Sequence, residues 1–268
     1  MNKHSKRLLT LVALATTTTA TIHIINKVIA ASACLKEMLD TDVRNYYHWR
    51  FGDIYYTKKG KGSPILLIQA ICDFIKNVIG EKTDVIVNGY SASFVVMACH
   101  NEKTLFDKIM MVNPVSLANL KQMPGKKEKL LRKCLEIPVF GTLVYHMVVS
   151  RSAVNDDFIE NYAFDPFHPD RELQDAYYEA AHRGGCYAKN VYANKASKYM
   201  NIDITRGLKE IDNSLYIVEG EAENNGEAIV EAYQNVNPSV EVATLKETKH
   251  FPHVEVPEQF LEQVGIFF

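Results

Sequence analysis

Downstream of residue 60 the chain alternates between two patterns. Short apolar runs, Ile65–Ile68, Asp84–Asn88, Lys108–Asn113, Leu215–Val218 and Val240–Leu245, are separated by stretches in which apolar residues return every three or four positions. Unbroken runs predict strands buried on both faces, and a period near 3.6 predicts helices with one apolar side. Ile71, Phe74, Ile75, Val78 and Ile79 have the helical spacing, with Gly80 as the stop. The stretches Phe94–Cys99, Glu227–Tyr233 and Glu258–Phe267 predict three more helices. Strands alternating with helices predict an α/β fold, a mainly parallel doubly wound sheet covered on both faces. Upstream, Tyr46–Thr57 alternates polar and apolar residues and predicts one or two further strands, followed by a turn at Lys58-Lys59-Gly60-Lys61-Gly62.

Between Val115 and Asp212 the strand pattern stops. Pro124, Pro138, Pro166 and Pro169, with Gly125, Gly141, Gly184 and Gly185, cut this region into short helices. It reads as a helical lid, about residues 115–212, inserted between two strands of the sheet domain 45–268. The lid is rich in tyrosine, including Tyr145, Tyr162, Tyr177 and Tyr192. Tyrosines at helical spacing more often serve the core and rim than the substrate, so they set no ligand by themselves.

The first 33 residues differ in kind. Lys3, His4, Lys6 and Arg7 precede a charge-free stretch from Leu8 to Ile25 that contains four consecutive threonines, and apolar residues continue through Val28–Ala33. A basic end before a long apolar stretch predicts an uncleaved membrane anchor with that end cytoplasmic. Ala31-Ser32-Ala33 also has the form of a signal-peptidase site, which would release an exported protein. A third reading is an amphipathic helix lying on the domain.

Composition narrows the partners. Thirty basic against thirty-two acidic residues leave a net charge of −2, with no basic stripe interleaved with aromatics, so nucleic acid is not an expected partner. Five dispersed cysteines, Cys34, Cys72, Cys99, Cys134 and Cys186, form no CxxC pair. They predict neither a disulfide framework nor a metal cluster. No phosphate-binding glycine loop or flavin motif is present, so no cofactor is expected.

Three segments carry candidate chemistry. Asp84–Asn88 leads into Gly89-Tyr90-Ser91-Ala92-Ser93 and then the apolar Phe94–Cys99, the order strand, sharp turn, helix. A serine there can be held outside regular structure beside a base. The run Leu215–Val218 leads into Glu219-Gly220-Glu221-Ala222-Glu223, which places carboxylates just past a strand, where one could orient a histidine. Glu223 is the first choice and Glu221 the second. After the last strand come His250 and His253, a loop position suited to a general base. His250 is the first choice and His253 the second. These histidines with Glu255 could instead be metal ligands, but Pro252 disfavours a regular helix that would present them together.

At this point the chain resembles the α/β-hydrolase family, in particular esterase-like members with a helical lid, over roughly residues 45 to 268. The resemblance rests on GYSAS at 89–93, GEAE at 220–223 and HFPHVEVPEQF at 250–260. It implies Ser91 as nucleophile, Glu223 as acid, His250 as base and the Ala92 N–H as one oxyanion donor. It further implies hydrolysis of a small-molecule ester or related acyl compound through an acyl-enzyme. The same fold also serves haloperoxidase and C–C hydrolase reactions. Ser93 and Lys249 stand where the family has glycines, and Glu223 where aspartate is commoner. A larger departure follows Ile68. The family has a histidine-glycine loop, a helix and another parallel strand there, and about 50 residues are missing by ordinary element lengths. The second oxyanion donor belongs to that block, and losing one such donor typically costs about 2.7–4 kcal/mol of transition-state stabilisation. A catalytically impaired, ligand-binding version of the fold is therefore the alternative expectation. A missing interior strand leaves backbone groups and apolar faces without partners unless the hairpin of residues 51–68 closes the gap.

Overall fold

The computed structural model describes residues 3–34, 45–49, 52–56, 65–66, 75–183 and 186–268. The turn at 58–62, Ile71, Cys72, Phe74 and the junction after Ile68 lie outside the described residues. In chain order the elements are helix α1 (Lys3–Ala33), strands β1 (Asn45–Trp49), β2 (Gly52–Tyr56) and β3 (Ile65–Leu66), then β4 (Thr83–Asn88), α2 (Tyr90–Asn101) and β5 (Phe106–Val112). Helices α3 (Leu117–Leu120), α4 (Lys126–Glu136), α5 (Phe140–Val148), α6 (Arg151–Asp157), α7 (Arg171–His182), α8 (Cys186–Ala196) and α9 (Thr205–Glu210) follow. The chain ends with β6 (Ser214–Gly220), α10 (Gly226–Val236), β7 (Glu241–Leu245), α11 (Pro252–Glu255) and α12 (Pro257–Phe267). Two compact units result: Met1–Thr41 with Met123–Phe158 and Asp170–Met200, and Asp42–Gln122 with Ile159–Pro169 and Asn201–Phe268.

The second unit holds a five-stranded sheet in the order β3-β4-β5-β6-β7, each neighbouring pair parallel. Side chains alternate across a strand, and the two sets go to different layers. Val85, Val87, Ile109, Met111, Leu215 and Ile217 face the larger core with α2, α9 and α10, where Tyr233 is fully buried and donates its hydroxyl to the Val115 carbonyl at 3.0 Å. Ile86, Met110, Val112, Tyr216 and Val218 face a smaller core closed by Phe260 of α12. This is why the predicted strands read as continuous apolar runs. Among the described residues the arrangement is a doubly wound, mainly parallel α/β sheet covered by helices on both faces.

Upstream of β3 lies a hairpin. β1 and β2 pair antiparallel from Asn45↔Tyr56 to Trp49↔Gly52 as a separate two-stranded sheet. Among the described residues β3 is the edge of the main sheet, paired only at Ile65↔Asp84 and Leu66↔Val85.

In the first unit, α1 packs on α5 and α7, and α4 packs on α5 and α8. Although α1 is 31 residues long, among the described residues no helix is long and apolar enough to cross a membrane. Thr16 to Thr19 satisfy their hydroxyls on carbonyls one turn back, which preserves the helix while keeping polar atoms on its surface. Near the other end Asn26 donates to the Val139 carbonyl at 2.9 Å. Deeper in this unit His146 and His182 are buried and stacked, with ring centroids 4.9 Å apart and planes within 5°. His182 Nδ1 lies 2.8 Å from the Tyr178 carbonyl, while His146 Nδ1 and His182 Nε2 have no partner among the described residues.

Two measurements test this packing. Ile109 is fully buried in a central strand, and Ile109→Ala is expected to cost about 2–5 kcal/mol in urea unfolding, whereas the exposed Leu261→Ala stays within about 0.5 kcal/mol. Burial holds both stacked histidines below the ordinary range, with His182 adding to the effect on His146; for His182 the Tyr178 bond opposes it and Arg151 adds to it. Since such histidines protonate first in the unfolded chain, their contribution is complete above about pH 6.5 and is lost as pH falls below it. The thermal midpoint is expected to drop from about pH 7 to about pH 5, and to drop less in His146→Phe/His182→Phe.

Candidate active site

Because β4 to β7 are parallel, their carboxyl ends share one edge of the sheet, and each delivers a segment there. The turn after β4 brings Ser91, the loop after β6 brings Glu223, and the loop after β7 brings His250. The bend itself falls on Gly89, with φ 54° and ψ −123°, a region closed to side chains on steric grounds. Its N–H donates to the Val112 carbonyl at 3.0 Å, tying the turn to β5. Ser91 lies in the first turn of α2, half-buried, and its φ is not positive. Ala92 is fully buried, and its N–H donates to the Gly89 carbonyl at 3.2 Å. Ser93 is buried with its hydroxyl donating to the Tyr90 carbonyl at 2.7 Å, so the extra oxygen relative to glycine is satisfied inside the helix start.

The acid and histidine choices are separated by their partners. Glu223 Oε2 lies 2.9 Å from His250 Nδ1, with the two side chains only 14% and 24% exposed. Glu223 is held by a turn in which its N–H donates to the Gly220 carbonyl at 3.0 Å. Glu221 faces elsewhere and accepts the Glu247 N–H at 2.7 Å. His253 packs edge-on between Phe251 and Phe260. Burial, aided by His250, lowers its pKa, with Glu255 acting in the opposite direction. The ring of His250 itself rests against Tyr162 and Phe251 at 5.0 and 4.9 Å. A carboxylate on Nδ1 favours the tautomer with the proton there and leaves Nε2 as the basic nitrogen.

Sequence reasoning missed the residues that hold this pair in place. Asn113, buried and with φ 41°, directly follows β5. Its Nδ2 donates to the carbonyls of Lys249 and His250 at 2.9 and 3.0 Å, and its Oδ1 accepts the Gly220 N–H at 3.1 Å. Its own N–H donates to Val218 O at 3.0 Å. One side chain therefore joins β5, the end of β6 and the histidine loop. An asparagine before proline at a strand end is a detectable turn signal, since Asn tolerates positive φ, but nothing local names its partners. Glu255, weighed above only as a metal ligand, accepts the Thr248 hydroxyl and Lys249 N–H on one oxygen at 2.6 and 2.8 Å. Its other oxygen accepts the Phe164 N–H at 2.7 Å. Lys249, in place of a glycine, donates its Nζ to the Glu160 carbonyl at 2.7 Å. The segment from which a second oxyanion donor would come lies outside the described residues.

No family model matches the sequence, and no curated protein matches it either. Solved structures do match in three dimensions. They include a meta-cleavage product hydrolase from Pseudomonas fluorescens IP01, at TM-score 0.54 and 12% identity over 73% of this chain and 67% of that one. A serine hydrolase from Cycloclasticus zankles matches at TM-score 0.52 and 14% identity, over 73% and 67%. A haloalkane dehalogenase from Agrobacterium tumefaciens C58 matches at TM-score 0.51 and 11% identity, over 72% and 68%. The chain has the α/β-hydrolase fold and spans about two thirds of the length of these structures. Their names cover different reactions, so the fold alone leaves the chemistry to the site.

Gly220 offers a test of the junction. A Cβ there would stand 2.1 Å from the Lys249 carbonyl oxygen and 2.8 Å from that of Thr248, backbone atoms that cannot swing aside. Gly220→Ala is expected to cost about 1–3 kcal/mol and to displace the histidine loop. The loss would be seen as weakening of the downfield Nδ1 proton resonance of His250.

Proposed function

We propose that this chain is a serine hydrolase acting on esters or related acyl compounds. In this reading Ser91 is the nucleophile, His250 the base and Glu223 the residue that orients and charges-balances the imidazole. The observation that carries it is the 2.9 Å His250–Glu223 contact on the strand edge that also bears the Ser91 turn. The Ser91 hydroxyl would transfer its proton to His250 Nε2 as Oγ attacks the acyl carbon, and the same proton would pass to the leaving alcohol as the acyl-enzyme forms. Water then repeats the sequence to release the acid. The Ala92 N–H would bind the oxyanion by releasing or sharing its long bond to Gly89. Neighbours named as hydrolases support hydrolysis at this coarse level.

One observation favours a second reading. In strand-turn-helix hydrolases the nucleophile itself occupies the strained turn, whereas here Gly89 has that conformation and Ser91 sits two residues on. A fold that retains the acid–histidine pair but binds its ligand without turnover would have this geometry.

Kinetics with a short-chain aryl ester separate the readings. The hydrolase reading expects turnover that falls by about a thousandfold or more in Ser91→Ala and in His250→Ala. Glu223→Gln is expected to fall by up to about ten-thousandfold. Glu221→Gln, whose carboxylate serves a backbone N–H remote from the imidazole, should retain kcat. Folded protein with no turnover, or turnover insensitive to Ser91→Ala, would select the binding reading.

A further inference from the structure

We propose that helix α4 is a docking face for an anionic lipid surface. Along Lys126–Glu136 the helical period sets Leu130, Cys134 and Ile137 on one stripe. Leu130 is 64% and Ile137 46% exposed, while Leu135, on the opposite side, is 2% exposed and anchors the helix to its unit. Lys126 and Lys133 border the stripe on one side and Lys127 on the other, all exposed. The two acidic side chains of the helix lie off the apolar stripe and are paired. Glu128 caps Gly125 and pairs with Lys198, and Glu136 pairs with Arg132, whose guanidinium lies over Tyr199. The outward face is thus apolar at its centre and cationic at its margins.

Charge complementarity selects the occupant. An apolar stripe lying between lysines suits a helix at headgroup depth, where the side chains bury shallowly and the ammonium groups reach phosphates. Further exposed apolar residues, Met123 before the helix and Phe140 after it, extend the same segment. Helix α1, in the same compact unit, also exposes Val12, Leu14, Ile24 and Val28. Exposed apolar side chains bordered by lysines are the pattern of a helix attached along a membrane surface. The lysines would supply attraction to anionic lipid that weakens with salt, and the stripe would supply the apolar contact. This inference stands apart from the catalytic reading, as it uses none of the site residues.

The test is flotation of the full chain with phosphatidylcholine vesicles and with phosphatidylcholine–phosphatidylserine vesicles, at low and raised salt. The expected result is preference for the serine lipid, weakened by salt. Lys126→Glu/Lys133→Glu and Leu130→Ser/Ile137→Ser, each with α1 intact and native circular dichroism, should reduce binding on the order of tenfold. Equal binding to both vesicles, or binding unchanged in both variants, would overturn the proposal. So would concentration-dependent self-association abolished by Leu130→Ser/Ile137→Ser in a chain that ignores vesicles, which would give the face to a second copy.

Discussion

The junction at Asn113 is the constraint on which the candidate site depends. Three backbone segments that are far apart in sequence meet there, and two of them bring polar groups to the Asn113 side chain: the Gly220 N–H from one, the Lys249 and His250 carbonyls from the other. Left unpaired, each would cost about 1–3 kcal/mol. A single carboxamide satisfies all three because it offers two donors and an acceptor in one plane. Gly220 is forced by the same geometry, since the histidine loop crosses it too closely for a side chain. The His250–Glu223 contact is a product of this backbone arrangement, with Glu255 fixing the other side of the loop.

The half of the sheet beyond β3 sets a different kind of limit. The larger core is closed by helices on its face, while the smaller face is covered, among the described residues, by α12. The resemblance implies a further helix and strand in this part of the fold, and among the described residues β3 is the last strand on that side of the main sheet. Acid and base follow β6 and β7, and the nucleophile turn follows β4, which is paired along its length with β5. Any hydrolysis must proceed with the turn at Gly89 aligned to a histidine whose own position is well determined.

Much of this was legible in the chain. Buried parallel strands show as unbroken apolar runs, so β4, β5, β6, β7 and α12 are legible to within a residue or two, whereas α2 begins four residues before its apolar stretch and α10 ends three residues after its own. Glu223 and His250 were legible through strand ends and motif spacing, and the structure brings them together. Asn113 and Glu255 were not, because their roles are contacts across about a hundred residues of sequence, with no local period. The turn was legible but its register was not: GYSAS marks a strand-to-helix bend, yet only backbone angles locate the strained residue at Gly89.

The account turns on whether Ser91 is presented to His250 as a nucleophile, and covalent trapping reads that directly. Purified full-length chain would be treated with a fluorophosphonate and digested, and the modified peptide mapped by mass spectrometry. The account predicts one adduct on Ser91 that requires His250. Native protein that carries no adduct, or one on another residue, would contradict it.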